Sequence, residues 1–140
     1  MIEKLKVKLA VYLVVRDKEQ ILLLKRQNTG YMDGYYSLIA GHVDPSEDAL
    51  RAMAREAKEE ASISIKERDL KLLLTCHRTS CNYIDLYFTT KTYSGTITNQ
   101  EPDKCSDLSF FSVNNLPENI IPEVKKSIES ILEGKNYITF

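Results

Sequence analysis

The sequence has no tryptophan, two histidines, three cysteines, four prolines and five glycines in 140 residues. Each shortage excludes something. Cys76, Cys81 and Cys105 are odd in number and have no paired spacing with histidine, which excludes a disulfide framework and a zinc site. Such thiols suit a reducing compartment, so a cytoplasmic location is expected. A net charge of −1 supplies no basic excess to neutralise a phosphate backbone, and no nucleic-acid polymer is expected as partner. A long apolar run is also missing. Residues 9–15 are too short to cross a bilayer, have charges close on both sides and precede no small-residue cleavage site, so neither a membrane segment nor a signal peptide is expected. Repeats, linkers and low-complexity stretches are absent, and 43% hydrophobic with 28% charged residues is ordinary for a globular chain. A single domain over residues 1–140 is expected.

What is present is patterned. Residues 5–16 set Val7, Leu9, Val11, Leu13 and Val15 against Lys6, Lys8, Ala10, Tyr12 and Val14, which predicts a strand. After the turn Asp17-Lys18-Glu19, residues 20–26 return as a second strand, and the pair reads as a hairpin. Strands follow at 70–79, with Leu72, Leu73 and Leu74 taken as buried, at 83–93 and at 108–113. A polar loop covers residues 94–106. A second amphipathic helix is predicted over 122–133, with Val124, Ile128, Ile131 and Leu132 on one face and Gly134 as its stop. Strands on both sides of a first helix, followed by a terminal helix, predict an α/β or α+β fold with helices packed on a mixed sheet.

The first helix lies in residues 41–63, GHVDPSEDALRAMAREAKEEASI. Asp44-Pro45-Ser46 offers an N-cap oxygen and an early proline. Leu50, Met53, Ala54, Ala57 and Ala61 recur as one core-facing stripe. At about 100° per residue, Glu56 and Glu60 share one side at the stripe's edge, and Glu59 lies roughly 60° to 100° further round. Three carboxylates in one arc repel one another or raise a pKa, and a divalent cation removes the conflict. Hard oxygen ligands suit magnesium or manganese. A solvated acidic face is the alternative, and the helix by itself does not separate the two.

The full spacing adds more: Gly41, five residues, Glu47, seven residues, then Arg55-Glu56-Ala57-Lys58-Glu59-Glu60-Ala61-Ser62-Ile63. This closely resembles the signature of the Nudix hydrolases, with the glycine, the arginine and all four glutamates in register. Ser62 departs from it, standing where the family has glycine, and Ala40 replaces a second glycine that many relatives carry. The resemblance implies an α/β/α sandwich, a mixed sheet between helices with the signature as loop, helix and loop. It also implies water-dependent cleavage of a nucleoside diphosphate linked to another group, with Mg2+ as cofactor and Mn2+ as a substitute.

Carried over residue by residue, Glu56, Glu59 and Glu60 become metal-binding carboxylates. Gly41 adds a carbonyl ligand, Arg55 orients the carboxylates, and Glu47 is a supporting acid. Glu56 or a carboxylate from a later loop serves as base; Glu101 is the loop candidate, with Asp103 and Asp107 behind it. Outside the signature, Arg26 could meet phosphate or lie on the surface. Tyr31, Tyr35 and Tyr36 could stack on a base or close the core. His42 is not needed for the chemistry, and His77 reads as structural. Among substrates, nucleoside triphosphates, oxidised or not, cleaved to monophosphate and pyrophosphate lead over ADP-ribose or another nucleoside-diphosphate sugar, because the N-terminal dimerising region frequent in ADP-ribose enzymes is not seen. A monomer or homodimer is expected, and a non-catalytic nucleotide sensor is the alternative of another class.

Overall fold

The computed structural model describes residues 2–140. In chain order its elements are β1 (Lys8–Val14), β2 (Arg16–Asp17), β3 (Gln20–Arg26), β4 (Tyr36–Ser37), β5 (Ile39–His42), α1 (Ala49–Ala61), a 3-10 turn (Glu67–Asp69), β6 (Lys71–Arg78), β7 (Tyr83–Thr89), β8 (Cys105–Ser112), α2 (Pro122–Leu132) and β9 (Tyr137–Thr139). β1 carries apolar side chains on both faces, and such a strand needs cover on both. It lies inside a five-stranded mixed sheet of order β5-β1-β7-β6-β9, antiparallel to β5 and parallel to β7.

The two faces separate the core. On one side Val11, Leu13, Ile39 and Phe88 meet Ala52, Met53, Ala57 and Ala61 of α1. On the other, Val14, Leu74, Cys76 and Tyr87 meet Val124 and Ile128 of α2. The five-stranded sheet is thus held between two helices. A smaller antiparallel sheet is built on β3, which pairs with β2 and β4 and, over most of its length, with β8. Among the described residues, no helix is long and apolar enough to cross a membrane.

Several sequence expectations need correcting. Residues 5–16 and 20–26 do not form one hairpin. The chain changes sheet at buried Val15, and only Arg16–Asp17 pair with Gln20 and Ile21. A two-stranded hairpin would cover each strand on one edge only, whereas β1 and β3 each anchor a sheet of their own. The strand expected over 83–93 ends at Thr89, and β8 begins at Cys105 through a bulge opposite Lys25 and Arg26. Leu72 is 48% exposed, because a bulge between Leu72 and Leu74 breaks the alternation. β9 and the 3-10 turn have no counterpart among the expected elements.

The helix start is also shifted. Asp48, not 44–46, caps α1 by accepting from the Arg51 N–H at 2.9 Å. Residues 44–47 form a separate turn, in which the Asp44 N–H donates to Glu47 Oε1 at 2.8 Å. At the other end Ser62 is left-handed, at φ 62°, with its N–H donating to the Lys58 carbonyl at 3.1 Å. A residue with a Cβ is strained there, and glycine's freedom in the unfolded chain offsets part of the relief. Ser62→Gly is expected to raise unfolding free energy in urea by about 0.5–1 kcal/mol; a loss of stability would contradict the cap geometry.

Candidate active site

β5 is an edge strand of the five-stranded sheet, and α1 lies against it. Gly41 faces that helix. A Cβ at Gly41 would stand 2.2 Å from the Glu56 carboxyl carbon, so Glu56 occupies the space a side chain would fill. One helical turn on, Glu60 reaches the Ala40 N–H at 3.3 Å. The two carboxyls interact directly. Burial pushes the Glu60 carboxyl well above the ordinary range, and the Glu56 charge adds to the shift. Burial also raises Glu56, against the opposing pull of Arg55.

Arg55 organises the remaining acids. Its Nη2 donates to Glu47 Oε1 at 2.6 Å and to the His42 carbonyl at 3.1 Å. Its Nη1 meets Glu56 at 2.8 Å and Glu59 at 3.3 Å, and its Nε meets Glu47 at 3.2 Å. The hydrogen bond from Arg55 holds the Glu47 carboxyl below the usual range. Because Asp48 starts the helix, Glu47 lies outside it and can fold back onto Arg55.

The structure therefore brings Gly41, Glu56 and Glu60 together but leaves Glu59 outside, its side chain 51% exposed on Arg55. Among the described residues, no group of three or more acids, histidines or cysteines is gathered as a finished metal cage. The paired Glu56 and Glu60 nevertheless fit a hard cation. They are oxygen donors, they face each other with raised pKa values, and the missing Gly41 side chain lets the Glu56 carboxyl lie against the β5 backbone.

A cleft of about 130 Å³ opens beside Glu60, lined by Leu24, Arg26, Thr29, Glu101 and Lys104. Glu101 is set by its neighbours: its N–H donates to Asn99 Oδ1 at 3.1 Å, and its carbonyl accepts from the Cys105 N–H at 2.8 Å. Two loops close the rim together. Gln27 Nε2 donates to the Pro102 carbonyl at 2.7 Å and Asn28 Nδ2 to the Asp103 carbonyl at 2.9 Å. Arg26 braces the first of these loops through Nε to the Tyr31 carbonyl at 2.7 Å and Nη2 to Thr29 Oγ1 at 3.0 Å. It also lines a second cavity, under α2, which it shares with Tyr31 and Ala40.

Two candidates move elsewhere. Tyr36 is only 9% exposed; its ring packs edge-on against Phe111 at 4.8 Å and its hydroxyl donates to Asp107. It closes the core and presents no face to a ligand, and the Asp107 oxygen it engages also accepts from Ser109 at 3.0 Å. Burial and the Asp107 carboxylate push the Tyr36 hydroxyl up to about 12. Tyr31, 55% exposed beneath the Arg26 guanidinium at 5.4 Å, stays at the cavity mouth. Sequence reasoning missed Thr29, Lys104 and the Tyr12, Arg78 and Asp85 of the second cavity. Asp85 did carry a signal, as an acid between Ile84 and Leu86, but its strand face reads as solvated until α2 is seen to cover it.

A family model described as NUDIX domain matches residues 6–131. The crystal structure of a MutT NUDIX hydrolase from Burkholderia pseudomallei is 24% identical, with TM-score 0.79 over 89% of this chain and 97% of that one. The MutT protein of Bacillus halodurans is 19% identical, with TM-score 0.76 over 96% of this chain and 89% of that one. An ADP-ribose pyrophosphatase from Streptococcus suis is 16% identical, with TM-score 0.63 over 96% of this chain and 98% of that one. At these identities the likeness is one of fold. No curated protein matches the chain.

Two outcomes follow from the paired carboxyls and their arginine. Both folded pKa values lie above the ordinary 4.5, so protonation favours the fold. That contribution is complete below the unfolded value and is lost as pH rises through the folded ones. In EDTA the thermal midpoint should fall across this window, and a divalent cation should restore it increasingly with pH. Glu60→Gln should flatten both trends, and a wild-type midpoint in EDTA that ignores pH would rule out the strained pair. Arg55→Ala should cost about 2 kcal/mol in denaturant unfolding, since acids lose their shared cation, with cation affinity down 10- to 100-fold.

Proposed function

The chain belongs to the NUDIX domain family, and on that premise we propose that it is a magnesium-dependent enzyme that hydrolyses nucleoside triphosphates to monophosphate and pyrophosphate. Family membership makes it a pyrophosphohydrolase, and enzymes of this family generally use divalent cations. The observation that carries the reading is the Glu56–Glu60 pair, set against the bare backbone of Gly41 beside a cleft that holds both Arg26 and Glu101.

Glu56 and Glu60 with the Gly41 carbonyl would hold Mg2+, and Glu59 would join when Arg55 releases it; Mn2+ has the same preference for oxygen. Bound there, the cation would offset charge on phosphate oxygens and lower the pKa of an attacking water. Arg26 and Lys104 stand on the cleft walls, where they favour an anionic diphosphate over a neutral ligand. Glu101, which lines the same cleft as Glu60, is the loop carboxylate that would accept a proton from water, with Glu56 as the other candidate. Arg55 keeps Glu47 and Glu56 in fixed orientation, so little rearrangement is left for the reaction.

Residues 1–140 act as one domain in this reading, and the free Cys76, Cys81 and Cys105 suit the cytoplasm. A second reading, cleavage of ADP-ribose or a related nucleoside-diphosphate sugar, is favoured by the shared fold of the Streptococcus suis pyrophosphatase.

The test is a nucleotide panel with magnesium that separates pyrophosphate from monophosphate release. Pyrophosphate from triphosphates supports the first reading; AMP and ribose phosphate from ADP-ribose support the second. Binding without turnover on every nucleotide would make the protein a sensor and refute both. Glu56→Gln and Glu60→Gln should each lower kcat at saturating magnesium by about 10²-fold or more with the fold intact. Wild-type rates in both would sink the site assignment.

A further inference from the structure

Between β7 and β8 the chain runs through residues 90–104 without a helix, yet its course is set by the end of α1. Ser94 exchanges both main-chain hydrogen bonds with Ser64, at 2.9 and 3.0 Å. Gly95 follows at φ +92°, where a Cβ would stand 2.9 Å from the Ser62 carbonyl oxygen. Ile97 packs against the core cluster that includes α1. The Thr98 N–H then donates to the Ala61 carbonyl at 2.9 Å, and the Gln100 N–H to the Glu60 carbonyl at 3.2 Å. The last carbonyls of a helix have no partner inside it, so the loop supplies what the helix end lacks. Its position is thereby registered on the helix that carries Glu56 and Glu60.

Asn99 stands in the chain between these two contacts, and both ends of its side-chain amide are used. Its Oδ1 accepts from the Glu101 N–H at 3.1 Å, and its Nδ2 donates to the Cys105 carbonyl at 2.7 Å. The Glu101 carbonyl in turn accepts from the N–H groups of Lys104 at 2.9 Å and Cys105 at 2.8 Å. A polar turn would need only the acceptor. Here the donor is used as well, and one amide spans the segment from Glu101 to Cys105. Neither a carboxylate nor a hydroxyl offers that donor and acceptor at a fixed separation. The main chain of Glu101 is therefore held on both sides, whereas among the described residues its carboxylate has no hydrogen-bond or ion-pair partner. Fixed backbone and unengaged oxygens, at the wall of the cleft beside Glu60, suit a group that takes up a proton.

We propose that Asn99 is a positioning residue for the hydrolysis, acting on the rate through Glu101. By bracketing residues 101–105 it sets the place of the Glu101 carboxylate in the cleft. The inference rests on the reading of Glu101 as the base that accepts a proton from water, and adds the group that holds it there.

A double-mutant cycle tests it, run at saturating magnesium on whichever nucleotide of the panel above is turned over fastest. Asn99→Ala should lower kcat by about 10-fold or more, since a small misplacement of a reacting group is costly. KM should stay within about twofold of wild type, because substrate binding is not what the bracket serves. In a Glu101→Gln background the same replacement should change kcat by less than about twofold, because the group it positions is gone. In the metal-free protein, Asn99→Ala should speed amide exchange at Glu101 by about 10-fold or more, while Thr98 and Gln100, bonded to α1, keep their protection. Should Asn99→Ala not fold, Asn99→Asp, which keeps the acceptor and loses the donor, takes its place in the cycle. A wild-type kcat in the variant, an equal fall in kcat with and without the Glu101 carboxylate, or unchanged exchange at Glu101 overturns the positioning role. A wild-type kcat in Glu101→Gln alone refutes instead the reading of Glu101 as base, and the two failures are thereby distinct.

Discussion

One guanidinium ties the loop before α1 to the helix itself. Arg55 reaches Glu47 and the His42 carbonyl on the loop side and Glu56 and Glu59 on the helix side. Those carboxylates gather around one side of a 13-residue helix whose other side is committed to the core. Their mutual repulsion would otherwise splay the turn away from β5. Arginine suits the task because its donors are coplanar and divergent, so a single cation can serve several acceptors at once. Lysine would offer the charge without the geometry.

The second constraint is the pleat of β5. Alternation along four residues sends Ile39 and Gly41 toward α1, and Ala40 and His42 toward the side that α2 covers. A slip of one residue would exchange the two sets. Glu56 would then meet a side chain where it now meets bare backbone, and the space beside Tyr12 would be filled. The two small residues are adjacent in sequence yet serve opposite faces of the sheet. The likeness to MutT and Nudix structures extends over most of each chain, in keeping with an arrangement set by backbone register more than by individual side chains.

Much of this was legible in the sequence because it depends on local spacing. The interval from Gly41 through Glu47 to Glu60 placed Glu56, Glu59 and Glu60 on one helix, and period-two alternation located most strands. What was not legible depends on which strand lies beside which. Nothing in residues 5–26 reveals that the chain leaves one sheet at Val15 to start another. A helical wheel sets Glu59 in the same arc as Glu56 and Glu60 but further round; only the position of β5 decides which carboxyls are enclosed. Tyr36 and Tyr31 are alike as residues and differ because Phe111 and Asp107 lie over one of them. The N-cap was misread by a few residues because Asp44, Ser46 and Asp48 all offer the same chemistry, and the turn preceding the helix was not separated from it.

The side chains of Gln27 and Asn28 grip the backbone of residues 102 and 103, and the Gln27 N–H donates to the Lys104 carbonyl at 2.9 Å. The two side-chain contacts each bridge 75 positions of sequence, and because all three contacts use main-chain acceptors their partners need no particular side chain. Loops joined in this way are inherited as a pair: lengthening or shortening one displaces the other. A replacement of the 94–106 segment would keep the grip of Gln27 and Asn28 only where the backbone course at 102–104 is preserved. A change in the length of either segment therefore has to be matched in the other, with the rim between them as the unit that evolution or a designer must move.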